Sequence, residues 1–148
     1  MAEDAQLVRD LEAQIAAGKI TFDREDLRQQ LLGRSNGTKV TARLQRLVLE
    51  LARVVPTSIR ISSLIRSAGH HGSGRAVDVG NEEVAPSLLP LAIPNIAAWN
   101  IDEIIFDGRG GSLAERNRWN HDRGVRHDYD AATLSQHRDH IHFAVAAG

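Results

Sequence analysis

The chain contains no cysteine. That excludes disulfides, thiolate metal ligands and a cysteine nucleophile together, and leaves histidine and carboxylate as the side chains able to hold a metal. An excess of charge of either sign is also missing. The formal net charge is −1 over 148 residues, so no global field steers the protein to nucleic acid or to an anionic membrane. No run approaches the roughly 18 apolar residues of a membrane span. The first residues, MAEDAQLVRDLEAQIAA, are acidic and amphipathic where a secretory leader is basic and then apolar. There is no internal repeat and no low-complexity segment. These absences lead us to expect a soluble chain whose function is written in local chemistry. Sixteen arginines stand against two lysines, Lys19 and Lys39, a ratio that carries no function by itself.

What is present suits one globular domain over residues 1–148, with 42 % hydrophobic and 25 % charged residues. Residues 1–55 read as helical. Asp4 is positioned to cap a helix with Leu7, Val8, Leu11 and Ile15 on one face and Gly18 as its stop, and Asp23 to cap a second carrying Leu27, Leu31 and Leu32. The clearest period is Val40, Leu44, Leu47, Val48, Leu51, Val54 and Val55, a core helix that ends at Pro56.

From residue 56 the period changes to two. Strands are expected at Ile59–Ser63, Ala76–Val79, Asp102–Phe106 and His140–Val145. Prolines at 86, 90 and 94 restrict residues 81–100 to short or broken helical turns. The polar, Gly-rich residues 107–129 have the composition of a long functional loop or lid. The fold class that follows is α+β, with N-terminal helices packed on a small antiparallel sheet.

Two histidine clusters carry the chemistry. In the first, a Gly-rich turn brings His71 beside the strand that holds Asp78. In the second, Asp139-His140-Ile141-His142, strand alternation points both histidines to one face and Ile141 and Phe143 to the other. A carboxylate with imidazoles is a donor set that suits zinc, with one position left open for water, so a metal-dependent hydrolase is the leading expectation. His70, His121, His127 and His137 have no role fixed by spacing. Those at 121, 127 and 137 are further candidates for proton transfer or oxyanion stabilisation, and Trp119 and Tyr129 for lining a groove or packing the loop onto the body.

The string His71-x-x-Gly74-x-Ala76-x-Asp78 followed by a distant His-x-His resembles the zinc D-Ala-D-Ala carboxypeptidase and murein endopeptidase family, whose fold group includes lysostaphin-type peptidases and the hedgehog signalling domain. The resemblance covers residues 56–146. It implies one zinc ion per chain on His71, Asp78 and His142, with His140, or an acid near it, serving the catalytic step. Family members often carry a glutamate three residues before the last zinc ligand. This chain has Asp139 there, one methylene shorter, so His140 stands first as base or oxyanion stabiliser and Asp139 second. The family's serine two residues before the first ligand is Gly69 here. Arg66 stands where similar peptidases grip a substrate carboxylate, and Ser63, with Ser62, is a candidate substrate contact.

The implied activity is hydrolysis of peptidoglycan stem-peptide or crosslink amides, as a D,D-carboxypeptidase or endopeptidase. The alternative is a non-catalytic zinc-containing peptide- or protein-binding module of the hedgehog type. A histidine-metal nuclease is a third reading, against which the near-neutral charge weighs. The implied partners are peptidoglycan peptides, with no nucleic acid, and the expected state is a monomer. A wall hydrolase without a visible leader needs a delivery or secretion assembly to reach the cell wall or periplasm.

Overall fold

The computed structural model describes residues 2–148. Helix α1 (Ala2–Ala16) is followed by strand β1 (Ile20–Phe22), helix α2 (Glu25–Leu31) and helix α3 (Ala42–Val54). The second half holds β2 (Ile59–Ser63), the one-turn helix α4 (Gly69–Gly72), β3 (Ala76–Val79), α5 (Ala85–Ala92) and β4 (Ile101–Ile105). Then come α6 (Leu113–Arg116), β5 (His121–Asp122), β6 (Val125–Arg126), α7 (Ala131–Ser135) and β7 (Ile141–Val145). Among the described residues no helix is long and apolar enough to cross a membrane.

Helix α3 is the centre of the core. Thr41 accepts from Leu44 N at 3.2 Å as its N-cap, and the helix buries Leu44, Leu47, Val48, Leu49, Leu51 and Ala52 before Pro56 ends it. Gln45 is the one buried polar side chain on α3, and it donates to Leu31 O at 2.8 Å, capping a free carbonyl at the end of α2. The caps expected at Asp4 and Asp23 are not formed. Asp4 lies inside α1, whose first turn starts earlier. Asp23 instead pairs with Arg60 at 2.9 Å, and Arg24 precedes α2 with no side-chain cap.

The sheet is larger than expected and mixed. Its seven strands run in the order β1-β2-β3-β7-β4-β5-β6, antiparallel except for the parallel pair β1 and β2. Strand β1, inside the segment read as helical, is only three residues long, too short for a period-two signal. Strands β3, β7 and β4 form the middle. Val77, Val79, Ile104, Ile141, Phe143 and Val145 join the core with α3, while Asp78, His142 and Ile105 alternate to the opposite face. The stretch with three prolines forms a 3-10 turn (Glu82–Val84), α5 and a second 3-10 turn (Ile93–Asn95), in keeping with its restricted backbone.

Residues 107–129 are a braced layer, not a long open loop or lid. Ser112 and Glu115 form a reciprocal capping box on α6. The buried amides of Asn117 and Asn120 knit the rest together: Asn117 Oδ1 accepts from Tyr129 N and from Asn120 Nδ2, both at 2.8 Å, and Asn120 Oδ1 accepts from Phe106 N at 2.8 Å. Composition marks such a segment as polar, but polar groups that satisfy one another can be buried as firmly as apolar ones.

Gly74 ties the turn after α4 to the start of α3. Its φ is +71°, its carbonyl accepts from Thr41 N at 3.0 Å, and a Cβ placed on it would stand 2.9 Å from Val40 Cα. Replacing it with alanine combines left-handed backbone strain with a backbone clash. Gly74→Ala is therefore expected to lower unfolding free energy by at least ~2 kcal/mol, read as a shifted urea midpoint. An unchanged midpoint would show that the turn is free to move.

Candidate metal centre

Strand register builds the centre. Asp78 of β3 lies directly opposite His142 of β7, and Ser63 of β2 is the partner of Asp78 on its other side. His71 enters from α4, which closes tightly enough for Gly72 N to donate to Ala68 O and for Gly74 N to reach His71 O. His71, Asp78 and His142 are all buried, and their donor atoms lie within 4.8 Å of one another. They form a group that can hold a metal ion.

Partners outside the group fix which ring nitrogens face inward. His71 Nδ1 sits 2.5 Å from Leu64 O. A carbonyl only accepts, so the proton is on Nδ1 and the Nε2 lone pair points at Asp78 Oδ1, 3.3 Å away. That buried Nε2 has no hydrogen-bond partner in the protein, an omission that ordinarily costs about 1–3 kcal/mol. His142 Nε2 donates to Glu103 Oε1 at 2.9 Å, which turns Nδ1 toward the same Asp78 oxygen at 3.3 Å. Two imidazole nitrogens and a carboxylate oxygen thus converge, and the arrangement is tolerable only with a cation among them. A second proton on His142 or a metal ion meets that need. The donor set N, N, O suits zinc.

The electrostatics agree. Burial alone would push the Asp78 carboxyl up, but the His142 and His71 imidazoles against it outweigh that and hold Asp78 well below the usual carboxylate range. Burial opposes protonation of His142, yet the flanking Asp78 and Glu103 carboxylates raise it above the ordinary imidazole range. Glu103 is half-buried, which would push its carboxyl up, but its hydrogen bond with His142 leads the opposing interactions and holds it below its usual value.

The second oxygen of Asp78 faces the rim. Arg66 Nη2 lies 3.6 Å and His140 Nε2 3.8 Å from Oδ2. Strand β7 begins at Ile141, so Asp139 is outside it and folds back on its neighbour: His140 Nδ1 donates to Asp139 Oδ1 at 2.8 Å. The Asp139 side chain is 88 % exposed, and what it touches is His140. His137 joins them, its ring 5.0 Å from that of His140 and 5.7 Å from that of His142. Its Nδ1 donates to Thr133 O at 2.7 Å, and burial, with the neighbouring His142 and His140, lowers its affinity for a proton.

Other candidates are placed differently. His121 is buried on β5, with Nδ1 donating to Trp119 O and its carbonyl accepting from the Tyr129 hydroxyl at 3.0 Å. His127 packs edge-on against Tyr129, and Trp119 packs onto the core. The Ser62 hydroxyl donates to Asp78 O at 3.3 Å. His70 is held between two carboxylates, Nε2 at 2.8 Å from Asp102 and Nδ1 at 3.3 Å from Glu103.

Glu103 is the residue that motif reading passes over. Within Asp102-Glu-Ile-Ile-Phe it looks like an ordinary strand residue. Its signal is parity: Glu103 and Ile105 share a face, and that face becomes the metal face only once β4 is known to pair with β7. Comparison with protein-family models, curated proteins and solved structures found no match. The functional argument therefore rests on the geometry of the centre and on the sequence motifs that build it.

If Glu103 holds His142 in its metal-binding tautomer, Glu103→Ala should weaken zinc affinity about 10–100-fold, whereas Glu103→Gln, which keeps an acceptor, should lose much less. Competition with a chromophoric zinc chelator measures both. Equal losses in the two variants would reduce Glu103 to a source of charge.

Proposed function

We propose that this protein is a zinc-dependent peptidase that hydrolyses amide bonds of peptidoglycan stem peptides or their crosslinks. The observation that carries the reading is the convergence of His71 Nε2, Asp78 Oδ1 and His142 Nδ1, with the ring of His140 aimed at the other oxygen of the same carboxylate. The sequence resemblance to zinc D-Ala-D-Ala carboxypeptidases and murein endopeptidases supplies the substrate class. His71, Asp78 and His142 would hold the zinc, which would supply a Lewis acid able to acidify water and polarise a scissile carbonyl.

The chain's own residues supply the rest. Asp139 keeps the proton of His140 on Nδ1, so Nε2 is the free base at the rim. In this role His140 Nε2 takes a proton from the attacking water and returns it to the leaving amine. Asp139 acts through His140, as a positioning residue. Arg66, more than half exposed beside Asp78, is oriented to bind a substrate carboxylate by its guanidinium fork. Ser63 is the strand partner of Asp78 and stands beside the same carboxylate-bearing strand. Peptidoglycan peptides are the proposed partners, met at the cell wall or periplasm.

The deciding experiment incubates the protein with defined muropeptides, with and without a chelator, and identifies products by mass. A new amine released only in the zinc-loaded state is expected. His71→Ala should abolish both zinc binding and turnover, and His140→Gln should keep one zinc per chain while lowering kcat about 10²–10⁴-fold. One bound zinc with no product from any stem peptide would favour the alternative reading, a non-catalytic zinc-containing binding module of the hedgehog type.

A further inference from the structure

Beside the metal centre lies a built feature that the mechanism leaves unused. Strand β4 ends at Ile105, the partner of His142, and two residues later Asp107 is buried beneath arginines. Arg116 grips it with a two-pronged fork, Nε to Oδ1 at 3.1 Å and Nη2 to Oδ2 at 3.0 Å. Arg138 Nε approaches Oδ2 at 3.5 Å, and Arg109 N donates to Oδ1 at 2.9 Å. Arg109 Nη2 donates to Arg138 O at 2.7 Å and pairs with Glu82.

Arg109, Arg116 and Arg138, with Ser135 and Gly110, ring an open cavity of about 400 Å³. Three guanidinium groups against the buried Asp107 leave the lining at +2, or +1 once Glu82, which pairs with Arg109 from outside it, is counted, on a chain whose formal net charge is −1. Asp107 is already engaged by Arg116, so it cannot neutralise all three. The side chains of Arg109 and Arg138 are 56 % and 61 % exposed, and among the described residues none accepts a hydrogen bond from either Nη atom of Arg138. Clustered like charges with unused planar donors are the chemistry that receives a carboxylate.

The cavity adjoins the metal centre through short covalent and hydrogen-bonded links. Arg138 lies between His137 and the Asp139-His140 pair, and Asp107 N donates to His137 O at 2.9 Å. We propose that this arginine cavity binds a carboxylate of the peptide substrate, a second anchor separate from Arg66, with Arg109 and Arg138 making the contact and Arg116 positioned through Asp107. The identity of the ligand rests on the peptidase reading; the carboxylate chemistry does not.

The test uses zinc-loaded protein and a stem tetrapeptide, N-acetyl-L-Ala-D-isoGlu-L-Lys-D-Ala. Two analogues carry an amide at the D-isoGlu or at the C-terminal carboxylate, which tells the two possible sources apart. Titration calorimetry should show the diacid bound about tenfold or more weakly by Arg138→Gln and by Arg109→Gln. Circular dichroism and zinc stoichiometry should be unchanged. Amidating the carboxylate that fills the cavity should weaken binding to the parent by a similar factor and erase the effect of either substitution. Unchanged diacid affinity in both variants overturns the proposal. Weakened binding in the variants with no hydrolysis of any stem peptide by the parent removes the peptidase reading and leaves the carboxylate site standing. Hydrolysis by the parent with kcat/KM unaltered in both variants removes the carboxylate site alone.

Discussion

The antiparallel pairing of β3 with β7 is the constraint on which the rest of the molecule depends. It sets Asp78 opposite His142 on one face and Val77 opposite Phe143 on the other. A slip of one residue would send a carboxylate into the core packed by α3 and turn apolar side chains toward the metal face. Burying a carboxylate there without partners is prohibitive, and losing the burial of Phe143 would cost about another 1.5–3 kcal/mol. The same interactions that select the fold therefore bring together two of the three residues of the candidate metal centre. The third, His71, arrives on a single helical turn whose end is tied to the start of α3 through Gly74.

Around that pairing the molecule is built in rings of decreasing burial. Leu64 O and Glu103 set the tautomers of His71 and His142. Arg66 and His140 meet the outer oxygen of Asp78, and the exposed Asp139 orients His140. Beyond them the polar segment after β4 is held in place by Asn117, Asn120 and the Asp107–Arg116 fork. Its exposed side carries the arginines. A sheet with apolar residues on one face and titratable residues on the other is thus bounded at one end by a hydrogen-bonded polar layer.

Much of this is legible in the residues themselves, for identifiable reasons. The period of α3 and the alternation in Ile59–Ser63 and Ala76–Val79 are strong because each element packs an apolar face on the core. Alternation also predicts that His140 and His142 share a side, and both do approach Asp78. Strand β1 and the hairpin of β5 and β6 are not legible, because elements of two or three residues carry no period. Nor is the layer over residues 107–129, whose order comes from buried amides bonding to distant backbone.

The sequence by itself determined which donors were available, histidine and carboxylate without cysteine, and which of them share a strand face, because side-chain alternation is a local property of the backbone. Only the tertiary structure decided which donors meet. Glu103 and His142 stand 39 residues apart and His142 and Asp78 stand 64 apart. Their contact is set by the register between strands, which depends on the packing of the whole sheet against α3.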